Sequence, residues 1–139
     1  MKNIDKQYGG MNPGRGPELH PTLLLLKINM NNYRIYVEKY PEFQVEARSL
    51  LSELNENLQL ELPSLRYLNV YDLFGFSEDL LEKSRYSVFG EIVTDSVTDE
   101  CDLSGVKYIA VEYLPGQFDQ RAASAVDCVR LIDPSAQVS

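Results

Sequence analysis

Residues 108–132 read YIAVEYLPGQFDQRAASAVDCVRLI, and the architecture expected of the whole chain turns on them. The first seven, 108–114, are β-branched and aromatic and read as a strand. Pro115-Gly116-Gln117-Phe118 then reads as a turn, because proline presets one backbone angle and glycine supplies a free one. Asp119 is placed to cap a helix, its carboxylate accepting the unpaired N–H groups of the first turn. From there Ala122, Ala125, Val126, Val129 and Ile132 recur at helical spacing on one face. A strand feeding a helix through a tight polar turn can present side chains and backbone N–H groups to a partner. It can equally serve only as a connection.

Upstream, 33–38 (YRIYVE) reads as a strand of imperfect alternation. Pro41 suits the first position of a helix and Glu42 suits the positive end of its dipole. Phe43, Ala47, Leu50, Leu51, Leu54 and Leu58 then form one apolar stripe, with Glu46, Arg48, Glu53 and Glu56 on the opposite face. That acidic face is a docking surface or, more plainly, a solvated helix face. Residues 65–74 (LRYLNVYDLF) read as a second strand between Pro63 and Gly75, forming with the first a βαβ unit or the start of a split βαβ sheet. Ser77 caps a short helix with Glu78 and Asp79 in its first turn and Leu80, Leu81 and Ser84 along one side. Residues 91–97 form a weaker strand, and 98–105 a loop around Cys101. Asp133-Pro134 ends the last helix.

The pattern predicts an α+β fold in two layers, a small mixed or antiparallel sheet with helices on one face. Its order resembles a ferredoxin-like arrangement whose second half is incomplete, since only seven residues follow Ile132. One organised domain is therefore expected over 30–139, truncated at its C-terminal end. An unpaired sheet edge and an uncovered helix face should remain, so the chain alone is expected to be marginally stable or to self-associate. Residues 1–29 are unlike the rest. Gly9-Gly10, Asn12-Pro13-Gly14 and Gly16-Pro17 break any regular element, and the apolar run at Leu23–Leu26 comes too late and is too short for a signal peptide. They are expected to be a disordered or non-native extension, with Met30 a plausible start.

The chain has 139 residues, 44% of them hydrophobic, enough for one core. Its net charge is −8, and from Met30 onward nine basic residues face nineteen acidic ones. Such a domain repels nucleic acid and anionic membranes, while a basic protein surface could still bind it. No apolar run reaches the length of a membrane span. Cys101 and Cys128 fit no metal spacing and read as reduced thiols of a cytoplasmic protein.

No catalytic constellation emerges. The only histidine, His20, lies in the N-terminal extension, so nucleophile–base pairs are lacking. Gly75, Gly90 and Gly116 are isolated, unlike the clustered glycines of phosphate loops. Asp119 puts negative charge where a helix start would take an anion; Arg121, one turn in, could offset it, which leaves a weak anion contact at Gln117 to Arg121. The acids at Asp99, Glu100 and Asp102, and at Glu78 and Asp79, match no calcium-loop spacing. The nine tyrosines fall mostly in predicted strands and read as sheet and core residues. Bottom-up, no residue is assigned to catalysis, a cofactor or a metal.

Three blocks carry a resemblance: 33–60, 67–97 and 108–132, above all EYLPGQFDQRA. Together they resemble the N-terminal region of phosphoribosylformylglycinamidine synthase in its large single-chain, Firmicutes-type form. The likeness spans Met30 to about Ile132. Where the family has an acid, this chain has Ala123, so no polar role is carried to that position. The resemblance implies a non-catalytic scaffold domain of an ATP- and glutamine-dependent ligase of purine biosynthesis. ATP, magnesium and the glutaminase residues would belong to downstream synthase and glutaminase domains, which are the implied partners. By the same resemblance Pro115, Gly116, Gln117, Phe118, Asp119, Gln120 and Arg121 make the inter-domain contacts, beside the plainer role of fixing their own turn and cap. The alternative is a free-standing interaction module that bridges a synthase and a glutaminase subunit. An independent small enzyme would need a nucleophile–base pair the sequence does not offer.

Overall fold

The computed structural model describes residues 31–139; the expectations for 1–29, including that for His20, lie outside the described residues. The elements run β1 (Asn31–Lys39), α1 (Val45–Leu58), β2 (Leu68–Phe76), α2 (Glu78–Ser84), β3 (Asp95–Thr98) and α3 (Gln120–Ile132). The three strands form one antiparallel sheet in the order β2-β1-β3. The fold is α+β, as the sequence pattern predicts.

β1 is the centre because it has a strand on each side. Its alternation sends Ile35 and Val37 to the buried face, where they are 0% and 4% exposed. Arg34 points the other way and grips Asp72 on β2 with two hydrogen bonds, at 2.5 and 2.7 Å. That guanidinium holds the Asp72 carboxyl below the usual carboxylate range. β2 follows the same alternation through Leu73. Between Leu73 and Phe76 the register slips by one residue against Tyr33 and Asn31, with Gly75 at φ +78. The extra residue is a bulge, and it flips Phe76 onto the buried face, where it is 2% exposed.

α2 closes that face. Ser77 accepts the Leu80 N–H at 3.2 Å, as its cap position predicts, and Leu80, Leu81 and Ser84 turn inward. The helix continues as a wide π turn, Arg85–Phe89, which buries Phe89 against the rings of Tyr71 and Phe76. Gly90 then passes so close to the sheet that a Cβ there would lie 2.7 Å from a Val97 methyl. α3 adds Val129, and the tail beyond it adds Val138. Ser139 exchanges both backbone hydrogen bonds with Phe74, at 3.0 and 3.2 Å, an antiparallel pairing on the outer edge of β2. The core is therefore one layer of Ile35, Val37, Leu73, Phe76, Leu80, Leu81, Phe89, Val97, Val129 and Val138 between sheet and helices.

Three local expectations change. β1 and β2 are direct antiparallel neighbours, so neither a βαβ unit nor a split one is present. The connection through α1 is long enough to return the chain either way, and the ladder rather than the connection fixes the direction. The stripe of α1 does not enter the core. Only Ala47 is buried, while Phe43 and Leu58 are 43% and 61% exposed. Residues 108–114 form no strand and lie exposed. Strand propensity is realised only against a neighbour, and β1 already has one on each side. Among the described residues no helix is long and apolar enough to cross a membrane.

Candidate functional site

The candidate site is the turn at 115–118 and the start of α3. Its shape is set locally. Pro115 and Gly116 occupy the turn, Gly116 at φ +87, and the Gln117 N–H closes it onto the Leu114 carbonyl at 2.9 Å. Positive φ at the third turn position is what calls for glycine. The Gln117 side chain folds back to accept the Leu114 N–H at 2.8 Å. Asp119 then accepts the Ala122 N–H at 2.9 Å, and its carbonyl takes the Ala123 N–H at 3.0 Å. Both the turn and the cap are where the sequence places them.

This pre-formed corner pushes Phe118 outward, 76% exposed, beside Leu114 at 67%. Arg121 turns the opposite way. Its guanidinium donates to the Asn69 side chain on β2, so the anion contact weighed for Gln117 to Arg121 has lost its cation to a fold contact. Beneath it lies Tyr71, whose phenol burial pushes up while Arg121 pulls it back down. Asn69 and Tyr71 are the partners that sequence reading missed. They sit in a run read only as strand, and nothing local in that run reports which helix lands on it.

The site divides into two kinds of residue. Asp119 caps α3 and Arg121 ties it to the sheet, while Pro115, Gly116, Gln117 and Phe118 form a rigid, outward, partly apolar knob. Gln120 is exposed at the first helical position. Among the described residues, crevices of about 150 Å³ beside Phe43, Gln44 and Tyr67 and about 50 Å³ beneath α3 open on the surface. Both are below the roughly 300–1,000 Å³ of sites that enclose small ligands. Among the described residues no cluster of three or more histidine, cysteine or acidic side chains is placed to hold a metal. Cys101 and Cys128 are unbridged. No protein-family model, curated protein or solved structure matches the chain.

The cap makes a direct prediction. Asp119→Ala should cost about 1 kcal/mol of stability and fray the first turn of α3. Hydrogen exchange at the Ala122 and Ala123 amides should speed up, while the Leu80 amide, capped by Ser77, stays protected. Unchanged exchange at Ala122 would show that the cap does not hold this helix.

Proposed function

We propose that this chain acts as a non-catalytic scaffold domain of the phosphoribosylformylglycinamidine synthase type. Its role would be to hold synthase and glutaminase parts in register while they convert formylglycinamide ribonucleotide to formylglycinamidine ribonucleotide. ATP and magnesium would be bound by the synthase part, and glutamine would be used by the glutaminase part, in the cytoplasm. The observation that carries this reading is the corner at 115–118. It is rigid by its own hydrogen bonds, and it still presents Phe118 to solvent at 76% exposure. A pre-ordered aromatic at a tight turn gives contact area at little entropic cost on binding. The half-covered stripe of α1 supports the same reading, because it offers a second apolar surface away from the core.

The test is reconstitution. A synthase of this type lacking its N-terminal region, mixed with its glutaminase, should form little product from glutamine. Adding this chain should raise glutamine-dependent turnover at least tenfold, and the chain alone should turn over nothing. Phe118→Ala should raise the concentration of chain needed for half-maximal activation by about tenfold, the scale of an aromatic interface anchor. Failure to activate, or turnover by the chain alone, would sink the proposal.

A further inference from the structure

From residue 106 to residue 114 the chain reads VKYIAVEYL and runs without a turn or bend. Gly105, at φ +71, precedes it, and Pro115 follows it. The sequence is as β-prone as β1, yet it joins no ladder. Among the described residues its backbone hydrogen bonds reach only its own flanks: a long 3.4 Å contact from Val106 N–H to the Leu103 carbonyl, and the Leu114 carbonyl and N–H taken up by Gln117 in the turn at 2.9 and 2.8 Å. Its large apolar side chains face water: Ile109 and Val111 are each 91% exposed, Tyr108 is 68%, Leu114 67%, Tyr113 59% and Val106 55%. Successive side chains of an extended run alternate between two faces, so apolar surface is left in water on both sides of the segment.

The run is also complementary to itself. Laid antiparallel on a second copy about a two-fold axis at Ala110, all nine residues find partners: Val106 with Leu114, Lys107 with Tyr113, Tyr108 with Glu112, and Ile109 with Val111. The smallest side chain sits on the axis. Lys107 meets an aromatic face and Glu112 a phenol, and no like charges oppose each other. Centring on Lys107 or Glu112 would instead oppose like charges. Centring on Val111 would set Lys107 against Pro115, which has no N–H to give. Gly105 and Pro115 thus stop the pairing at both ends.

We infer that two copies of this chain associate by pairing residues 106–114 antiparallel across a two-fold axis at Ala110. The occupant is a second copy because the run complements itself in charge: Lys107 and Glu112 each fall against a tyrosine of the other copy, and the β-prone backbone is unladdered. A two-stranded ribbon is marginal on its own, so the dissociation constant is set in the micromolar range, about 1–50 µM. This association does not depend on the docking role proposed above, and it reads out differently.

Sedimentation of the full chain should show the mass doubling between about 1 and 100 µM. Ala110→Pro should leave a monomer throughout, with the far-UV spectrum of the dilute native chain, since in the monomer the segment contributes no helix or ladder. The register has its own test, in a Cys101→Ser, Cys128→Ser background. Directly opposed Cα atoms lie about 4.5–5.5 Å apart, within reach of a disulfide. Ala110→Cys should therefore cross-link two chains under mild oxidation. Lys107→Cys should not, because its copy would lie about 20 Å away along the strands. A monomer at 100 µM overturns the inference. So does a dimer that survives Ala110→Pro, or cross-linking that does not distinguish position 110 from position 107.

Discussion

Ile35→Ala is expected to remove about 3–4 kcal/mol of stability, within the range for a large aliphatic truncated in a core. Ile35 is fully buried, at 0% exposure, in the strand that pairs on both sides. Its neighbours cannot close in on the space, because β1 is fixed by β2 on one edge and β3 on the other. The core it belongs to is a single layer of ten side chains. Domains of this size have only about 5–15 kcal/mol in total, so the loss should lower the melting midpoint by more than about 10 °C. The control is Val70→Ala on β2, where Val70 is 50% exposed. It should move stability by no more than about 0.5 kcal/mol. Urea unfolding followed by circular dichroism measures both. A loss under about 1 kcal/mol for Ile35→Ala would mean that the core lies elsewhere.

Asp95→Ala should cost about 2 kcal/mol, the scale of leaving a buried group unpaired, and it should also change how stability depends on pH. Asp95 opens β3 at 4% exposure. Its carboxylate accepts the Glu91 N–H at 2.9 Å, the Thr94 hydroxyl at 3.1 Å and the Lys39 ammonium at 3.0 Å. Burial works to raise its pKa, but these donors prevail and hold it below the usual carboxylate range. A carboxyl that is more acidic folded than unfolded stabilises fully above its unfolded value, near pH 4. That stabilisation is lost as pH falls from there through the folded value. The native chain should therefore lose stability on acidification below about pH 5. Asp95→Asn, which keeps the shape but not the charge, should show a shallower loss. Asp72, Asp102 and Asp133 are also held low and contribute in the same direction. They are common to both proteins, so the difference between the two pH profiles belongs to Asp95. Parallel profiles would show that the Asp95 charge adds nothing.

What the sequence determined by itself is everything governed within about one turn of chain. The Ser77 and Asp119 caps, the proline–glycine turn at 115–116, the helical spacing from Ala122 to Val129 and the alternation at Ile35 and Val37 all stand in the structure. Each depends on contacts among residues close in sequence, so composition and spacing suffice. Tertiary structure decided the rest. It set β1 directly against β2, turned Arg121 toward Asn69, buried Asp95 among donors from two segments, left the α1 stripe half-covered and left 106–114 without a ladder. A strand and an unpaired β-prone segment have the same local signature, because the hydrogen bonds that tell them apart are made with residues distant in the chain.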